Sequence, residues 1–233
     1  MGARVRLRRL LGAVWAYVRS APGSFVWLAI LLATTLIIRS VSPATAHHLL
    51  EQRSTNLHYL RVSPVRVLVS SALWIGGSGW FAYVVVYNVF HVPAERWLGT
   101  RRWLAVVIIA HVGATYVSEG VLYWAILHGF APQSSVHTLD YGVSYALAGV
   151  QAVLTYRIAP PWRYLYLAAV LVWYVVGVLQ ARDFTSIGHL SAALLGLACY
   201  PITRARPGQW EPAASVRTFR QLLRGDPRQG QGA

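Results

Sequence analysis

The stretch FVWLAILLATTLII, residues 25–38, carries no charge, and it is the first of several such runs. Charged residues make up 12% of the 233-residue chain, against about a quarter in a soluble domain. They also cluster, so that long windows hold none and short windows hold several. That distribution points to a bilayer, and the expected fold is an all-α membrane protein.

Five further apolar segments follow: Val67 to Val92, Trp103 to Leu127, Leu139 to Tyr156, Tyr164 to Gln180, and His189 to Ile202. With flanking turns included, each reaches the ~17–25 residues needed to cross a hydrocarbon core. The connections alternate in character. PAERWLGTRR (93–102) and RIAPPWR (157–163) are rich in Arg, whereas the loop at 42–64 carries both charge signs and HGFAPQSSVHT (128–138) carries no Arg. Basic loops stay on the cytoplasmic side. The expectation is a six-transmembrane-helix bundle with both termini cytoplasmic, a multi-pass protein of the cell membrane. A basic start, an apolar run and ATA at 44–46 also fit a cleavable secretory signal, with either reading placing the next segment's start outside.

All 21 basic residues are Arg, and the formal net charge is +14. Most of these Arg flank apolar segments, and no zinc-finger, RNP or helix-turn-helix pattern accompanies them. The basicity therefore reads as topology and attraction to anionic lipid; the expected partner is the lipid bilayer, with no nucleic acid. Residues 1–23 form a basic amphipathic arm, 24–203 the membrane domain, and 204–233 a basic, Gly/Pro/Gln-rich tail expected to be disordered. One cysteine, Cys199, excludes a disulfide framework and a CxxC metal site, and neither a cofactor nor a metal is expected. Oligomeric state is left open.

Few ionisable residues fall within or at the edge of the apolar spans: His91, His111, Glu119, Asp140 and His189. Such residues are costly in lipid and face a protein interior or a cavity, so each is a functional candidate. Segments four and six both run from outside to inside, which puts Ser144 and His189 near the outer ends of their helices. They reach one depth if the backbone before Asp140 dips into the bundle, which is tolerated where it is buried in protein. A serine with a neutral imidazole in reach is a sufficient nucleophile and base. The start of segment four adds a helix N-terminus able to bind a developing oxyanion, and Gly142 lets backbone or substrate approach closely. Asp140 is expected to cap that helix, Glu119 to pair with His189 or with an Arg of the first loop, and His111 to be structural or water-bound.

GVSYALAG (142–149), followed one hairpin later by GHLSAALLG (188–196), resembles the fourth and sixth helices of rhomboid intramembrane serine proteases. ERWLGTRRWLAVVIIAHVGATYV (95–117) resembles the family's stretch joining helices two and three. The likeness spans roughly 67–203. It implies a six-helix rhomboid-like bundle, Ser144 as nucleophile, His189 as base, and a membrane-anchored protein as substrate. The sequence departs from the family's pattern in places. Tyr145 stands where a glycine follows the nucleophile, and Ala192 stands for a packing glycine, which would set helices four and six further apart. The family's HxxxN is missing from SSALWIGGSGWFAY (70–83), since Asn88 and His91 occur in reversed order near the inner end. Oxyanion donors would then be backbone N–H groups around Ser144, with Ser78 or Trp74 from segment two.

Two functions stay open. One is a rhomboid-type protease with a Ser-His dyad; the other is a rhomboid-fold protein that binds transmembrane partners without cleaving them. A metal-dependent hydrolase built on His111, Glu119, Asp140 and His189 has no HExxH or HxxxD spacing behind it.

Overall fold

The computed structural model describes residues 2–76, 79–206 and 208–212. The chain opens on α1 (Gly2–Arg19), whose Leu7, Leu10, Leu11, Val14 and Trp15 are all more than half exposed. A polar helix so decorated has no protein to bury them and suits the lipid–water interface. Pro22 starts α2 (Pro22–Ser40), where its fixed φ and missing N–H cost nothing. The connection beyond is itself helical, with α3 (Pro43–Arg53) capped by Ser42 and α4 (Leu57–Val62) capped by Asn56.

Segment two differs from the uninterrupted helix expected over 67–92. It is divided into α5 (Pro64–Ser71), an irregular stretch, α6 (Trp80–Val86), a π-helical turn (Tyr87–His91) and α7 (Val92–Leu98). The break coincides with the glycines at 76 and 79, which are poor helix formers. The freed carbonyls are taken up by side chains of α2: Trp27 Nε1 donates to Ala72 O at 2.7 Å and Thr34 Oγ1 to Leu73 O at 2.9 Å. Irregular backbone at membrane depth persists where protein groups satisfy it in this way.

Then come α8 (Thr100–Leu127), a 3-10 turn (Gln133–His137), α9 (Val143–Val153) with a 3-10 extension (Leu154–Arg157), α10 (Trp162–Ala181), α11 (Phe184–Ala198) and the short α12 (Tyr200–Thr203). By length and composition α2, α8 and α10 can each span a membrane, and α11 is a shorter apolar helix. The buried stripe of α8 runs Trp103, Val106, Val107, Ala110, His111, Ala114, Thr115, Ser118, Glu119 and Leu122. That alternating three- and four-residue spacing is one helix face, apolar near Thr100 and polar toward Leu127. Packed on it, α9 and α11 complete the centre, while α10 lies outside against α11 with no buried residue.

Two clusters tie the arginine-rich end together. Trp27, Tyr87, His91 and Trp103 interlock edge to face, Tyr87 stacks on His91 at 4.1 Å, and Trp103 Nε1 donates to His91 Nδ1 at 3.2 Å. His91 is thus a core residue. Glu95, 1% exposed, accepts from Gly23 N, Ser24 N, Ser24 Oγ and Thr100 Oγ1 at 2.7–2.8 Å. It binds the otherwise unpaired N–H groups at the start of α2. Gly99, at φ +80°, makes the turn from α7 into α8 that only glycine adopts freely.

Within the segment that begins at residue 204, Trp210 is bonded to the loop before α10. Trp210 N donates to Arg157 O at 2.7 Å and Ala159 N to Trp210 O at 3.0 Å, a parallel bridge onto the loop before α10. Residues 213–233 lie outside the described residues.

Candidate functional site

The stretch entering α9 runs through the protein interior. Asp140, 3% exposed, donates its N–H to Ser54 Oγ at 2.7 Å, and its carbonyl accepts from Thr55 N and Oγ1 at 3.0 and 3.2 Å. Ser54 and Thr55 are themselves fully buried. Unpaired backbone at this depth would cost several kcal/mol per group, and the α3–α4 connection supplies the partners. A segment 85 residues earlier in the chain thus holds Asp140, while His137 and Thr138 just before it are exposed.

Asp140 does not cap α9. The N-cap position is Gly142, and no side chain bonds the helix start. The Asp140 carboxylate instead accepts from Tyr145 Oη at 2.9 Å, because the chain between Asp140 and Gly142 turns the carboxylate toward the bundle centre. Gly142 is pressed against α8: a Cβ there would lie 1.8 Å from His111 Nδ1. His111 Nε2 donates to Leu68 O at 2.8 Å, so this histidine is a structural post between α5, α8 and the start of α9.

Ser144 and His189 line one cavity of about 650 Å³ among α6, α9, α10 and α11. Ser144, half-buried in the first turn of α9, donates its hydroxyl to Tyr141 O at 3.3 Å. Among the described residues no hydrogen bond joins it to His189. The His189 imidazole lies in the second turn of α11 and lines the cavity. It sits between two tyrosine rings, edge to face with Tyr145 at 5.0 Å and stacked with Tyr174 at 6.2 Å. The Tyr174 hydroxyl in turn donates to Gln151 Oε1. Tyr174, Gln151, Gln180 and Ser186 give the apolar cavity its other polar points. Sequence reasoning missed all four, since nothing in an apolar helical run distinguishes a cavity-facing Tyr or Gln from a lipid-facing one.

The substitutions at 145 and 192 do not separate α9 from α11. Gly188, Ala192 and Gly196 recur every four residues on one face of α11, the small-residue spacing that lets helices touch. A Cβ at Gly196 would sit 2.2 Å from Gly149 O, and one at Gly149 would sit 3.3 Å from Ala192 O. Tyr145, 0% exposed, fills the space that a glycine would leave, and Gly188 makes room for it, with a Cβ there 2.6 Å from Tyr145 Oη. Bulk has moved from one helix to a void on the other.

Ser78 lies outside the described residues. Trp74 sits under the Arg53 guanidinium at 5.8 Å. Gly76 packs on the Tyr141 ring, where a Cβ would come within 2.5 Å. Glu119, 1% exposed, has no hydrogen-bond partner for either oxygen, and the carboxyl group whose charge acts on it is that of Asp140. The expected pairing of Glu119 with His189 or a loop Arg is not formed. Among the described residues no three His, Cys, Asp or Glu side chains gather as a metal site.

Apolar helices long enough to cross a bilayer, ionisable side chains buried between them and a largely apolar cavity lined by Ser144 and His189 together define an integral membrane protein with a candidate site. The family model for rhomboid-like proteins matches residues 16–209, and the chain belongs to that family. No curated protein and no solved structure matched it.

Proposed function

We propose that the chain is a rhomboid-type intramembrane serine protease that cleaves membrane-anchored proteins, with Ser144 as nucleophile and His189 as base. The observation that carries this reading is the shared cavity wall: two residues 45 positions apart, one hydroxyl and one imidazole, open onto the same space. The hydroxyl of Ser144 turns from Tyr141 O toward His189, which accepts its proton as the oxygen attacks a peptide carbonyl. The uncapped first turn of α9 leaves N–H groups beside Ser144 for the oxyanion. Gly142 serves through its fit on His111, and Asp140 acts through Tyr145, steadying the ring against which His189 rests. In this reading six segments cross the cell membrane, the second through α6 to α7 and the fourth through α9 with its 3-10 extension. The arginine-rich end and both termini face the cytoplasm.

The hydrogen bond from Ser144 to Tyr141 favours a second reading, a rhomboid fold that binds transmembrane partners without cleaving them. A fluorophosphonate probe separates the two. A protease labels in the wild type, not in Ser144→Ala, and far more slowly in His189→Ala. Equal labelling of wild type and Ser144→Ala sinks the catalytic assignment. A wild type that neither labels nor cleaves a membrane-anchored protein, yet crosslinks to one equally well with Ser144→Ala, establishes the binding reading.

A further inference from the structure

His189 stands between two tyrosine rings, and both rings are tied to the helix that carries Ser144. Tyr145 belongs to α9 itself, and its hydroxyl donates to Asp140 Oδ2 at 2.9 Å. Tyr174 belongs to α10, and its hydroxyl donates to Gln151 Oε1 on α9. The rings meet the imidazole differently: Tyr145 edge to face at 5.0 Å, Tyr174 within 19° of parallel at 6.2 Å. Edge-to-face and offset-stacked ring pairs are both favourable over about 4.5–7 Å, so the two rings together restrain the tilt of the imidazole.

Of the two, Tyr174 depends more on its hydrogen bond. Tyr145 is fully buried, whereas α10 has no buried residue, so packing alone leaves the Tyr174 ring room to slide. A phenolic hydroxyl in a largely apolar cavity needs an acceptor, and Gln151 supplies it. Gln151 follows Ser144 by seven positions, two turns of helix, and both residues line the cavity. The helix of Ser144 thereby sets where the ring beside His189 lies. Tyr166, also on α10, donates its hydroxyl to the backbone carbonyl of Gln151 at 2.8 Å, but its ring lines a separate cavity beside Leu154 and Arg157.

We propose that Gln151 is a positioning residue for His189: through the Tyr174 hydroxyl it fixes the ring that keeps the imidazole aligned for Ser144. This rests on the reading of Ser144 and His189 as nucleophile and base. The contacts that carry it are the hydrogen bond of Tyr174 to Gln151 and the stack of Tyr174 on His189.

The test follows the rate of fluorophosphonate labelling of the full chain in detergent. Gln151→Met removes the acceptor at nearly constant volume, and Tyr174→Phe removes the donor while keeping the ring. Misplacement near 1 Å can slow catalysis by about a hundredfold, and each variant is expected to slow labelling at least about tenfold. Both act on one link, so the double variant should be no slower than the slower single. In a His189→Ala background, Gln151→Met should change the residual rate less than about twofold, because no base remains to be misplaced. Slowing of the same size in both backgrounds means a general loosening of the cavity and overturns the proposal. Wild-type rates in Gln151→Met overturn it too, or in Tyr174→Phe if the first variant does not fold. Tyr166→Phe removes the other α10 hydroxyl bonded to residue 151 and should slow labelling far less than Tyr174→Phe; equal slowing shows that attachment of α10 alone matters. A wild type that labels no faster than Ser144→Ala removes the protease reading instead. The link is then read from the imidazole NMR resonances of His189, whose ring-current shifts must change in Gln151→Met and Tyr174→Phe, and unchanged resonances overturn it.

Discussion

Substituting Gly196 by alanine tests whether α9 and α11 touch through backbone. The added Cβ would stand 2.2 Å from Gly149 O and 2.8 Å from Gly149 C and Cα. Those obstacles are main-chain atoms, so no side chain can swing aside. The helices must part by roughly 1 Å to restore ordinary contact, and overpacking of that kind costs about 1–3 kcal/mol. Alanine returns about 0.5–1 kcal/mol as the better helix former, leaving a net loss of up to about 2.5 kcal/mol, centred near 1 kcal/mol, by these figures. Gly120→Ala on α8 is the matched control, because nothing lies within 4 Å of its Cβ position; it should be neutral or stabilising by up to about 1 kcal/mol. Equilibrium unfolding in mixed micelles, followed by helical circular dichroism, reads both. The parting also shifts Ser144 against His189, and a displacement near 1 Å can slow catalysis by about a hundredfold, so probe labelling should fall with stability. Wild-type stability in Gly196→Ala, or an equal loss in Gly120→Ala, refutes the close-crossing argument.

Four other outcomes are expected. Reporter fusions after Pro43, Pro132 and Arg182 should read outside, and fusions after Thr100, Pro161 and Arg206 inside; the inverse pattern would place Ser144 at the wrong end of the bundle. Glu95→Ala should lose about 2–4 kcal/mol in the same unfolding assay, since it strips partners from buried N–H groups at the start of α2, and a loss below 1 kcal/mol would show that water replaces the carboxylate. Glu119→Met should be neutral or stabilising, because it removes a buried carboxyl without hydrogen-bond partners at nearly constant volume; strong destabilisation would reveal a partner that the geometry does not contain. Ending the chain after Arg206 should cost about 1–3 kcal/mol relative to ending it after Pro212, the worth of the two Trp210 hydrogen bonds, and equal melting temperatures would deny that bridge a stabilising role.

The residue order alone determined that this chain is an all-helical membrane protein, where its apolar runs lie, and which serine and histidine deserve notice. Those properties are local: a run of apolar residues, an Arg-rich loop and a Gly-x-Ser or Gly-His pattern are each visible within a dozen positions. Tertiary structure decided everything that depends on a partner far away in the chain. Trp27 and Thr34 satisfy the carbonyls that the break in segment two exposes, so an apparently continuous apolar run is broken after α5. Ser54 and Thr55 hold Asp140, and Tyr145 takes its carboxylate, so a residue that looks like a helix cap is an interior acceptor. Gly188 accommodates Tyr145, so a substitution that reads as a defect on one helix is compensated on another. Side-chain type and spacing report which groups need a partner; only the packed bundle, by bringing together positions separated by tens of residues, selects which partner each one receives.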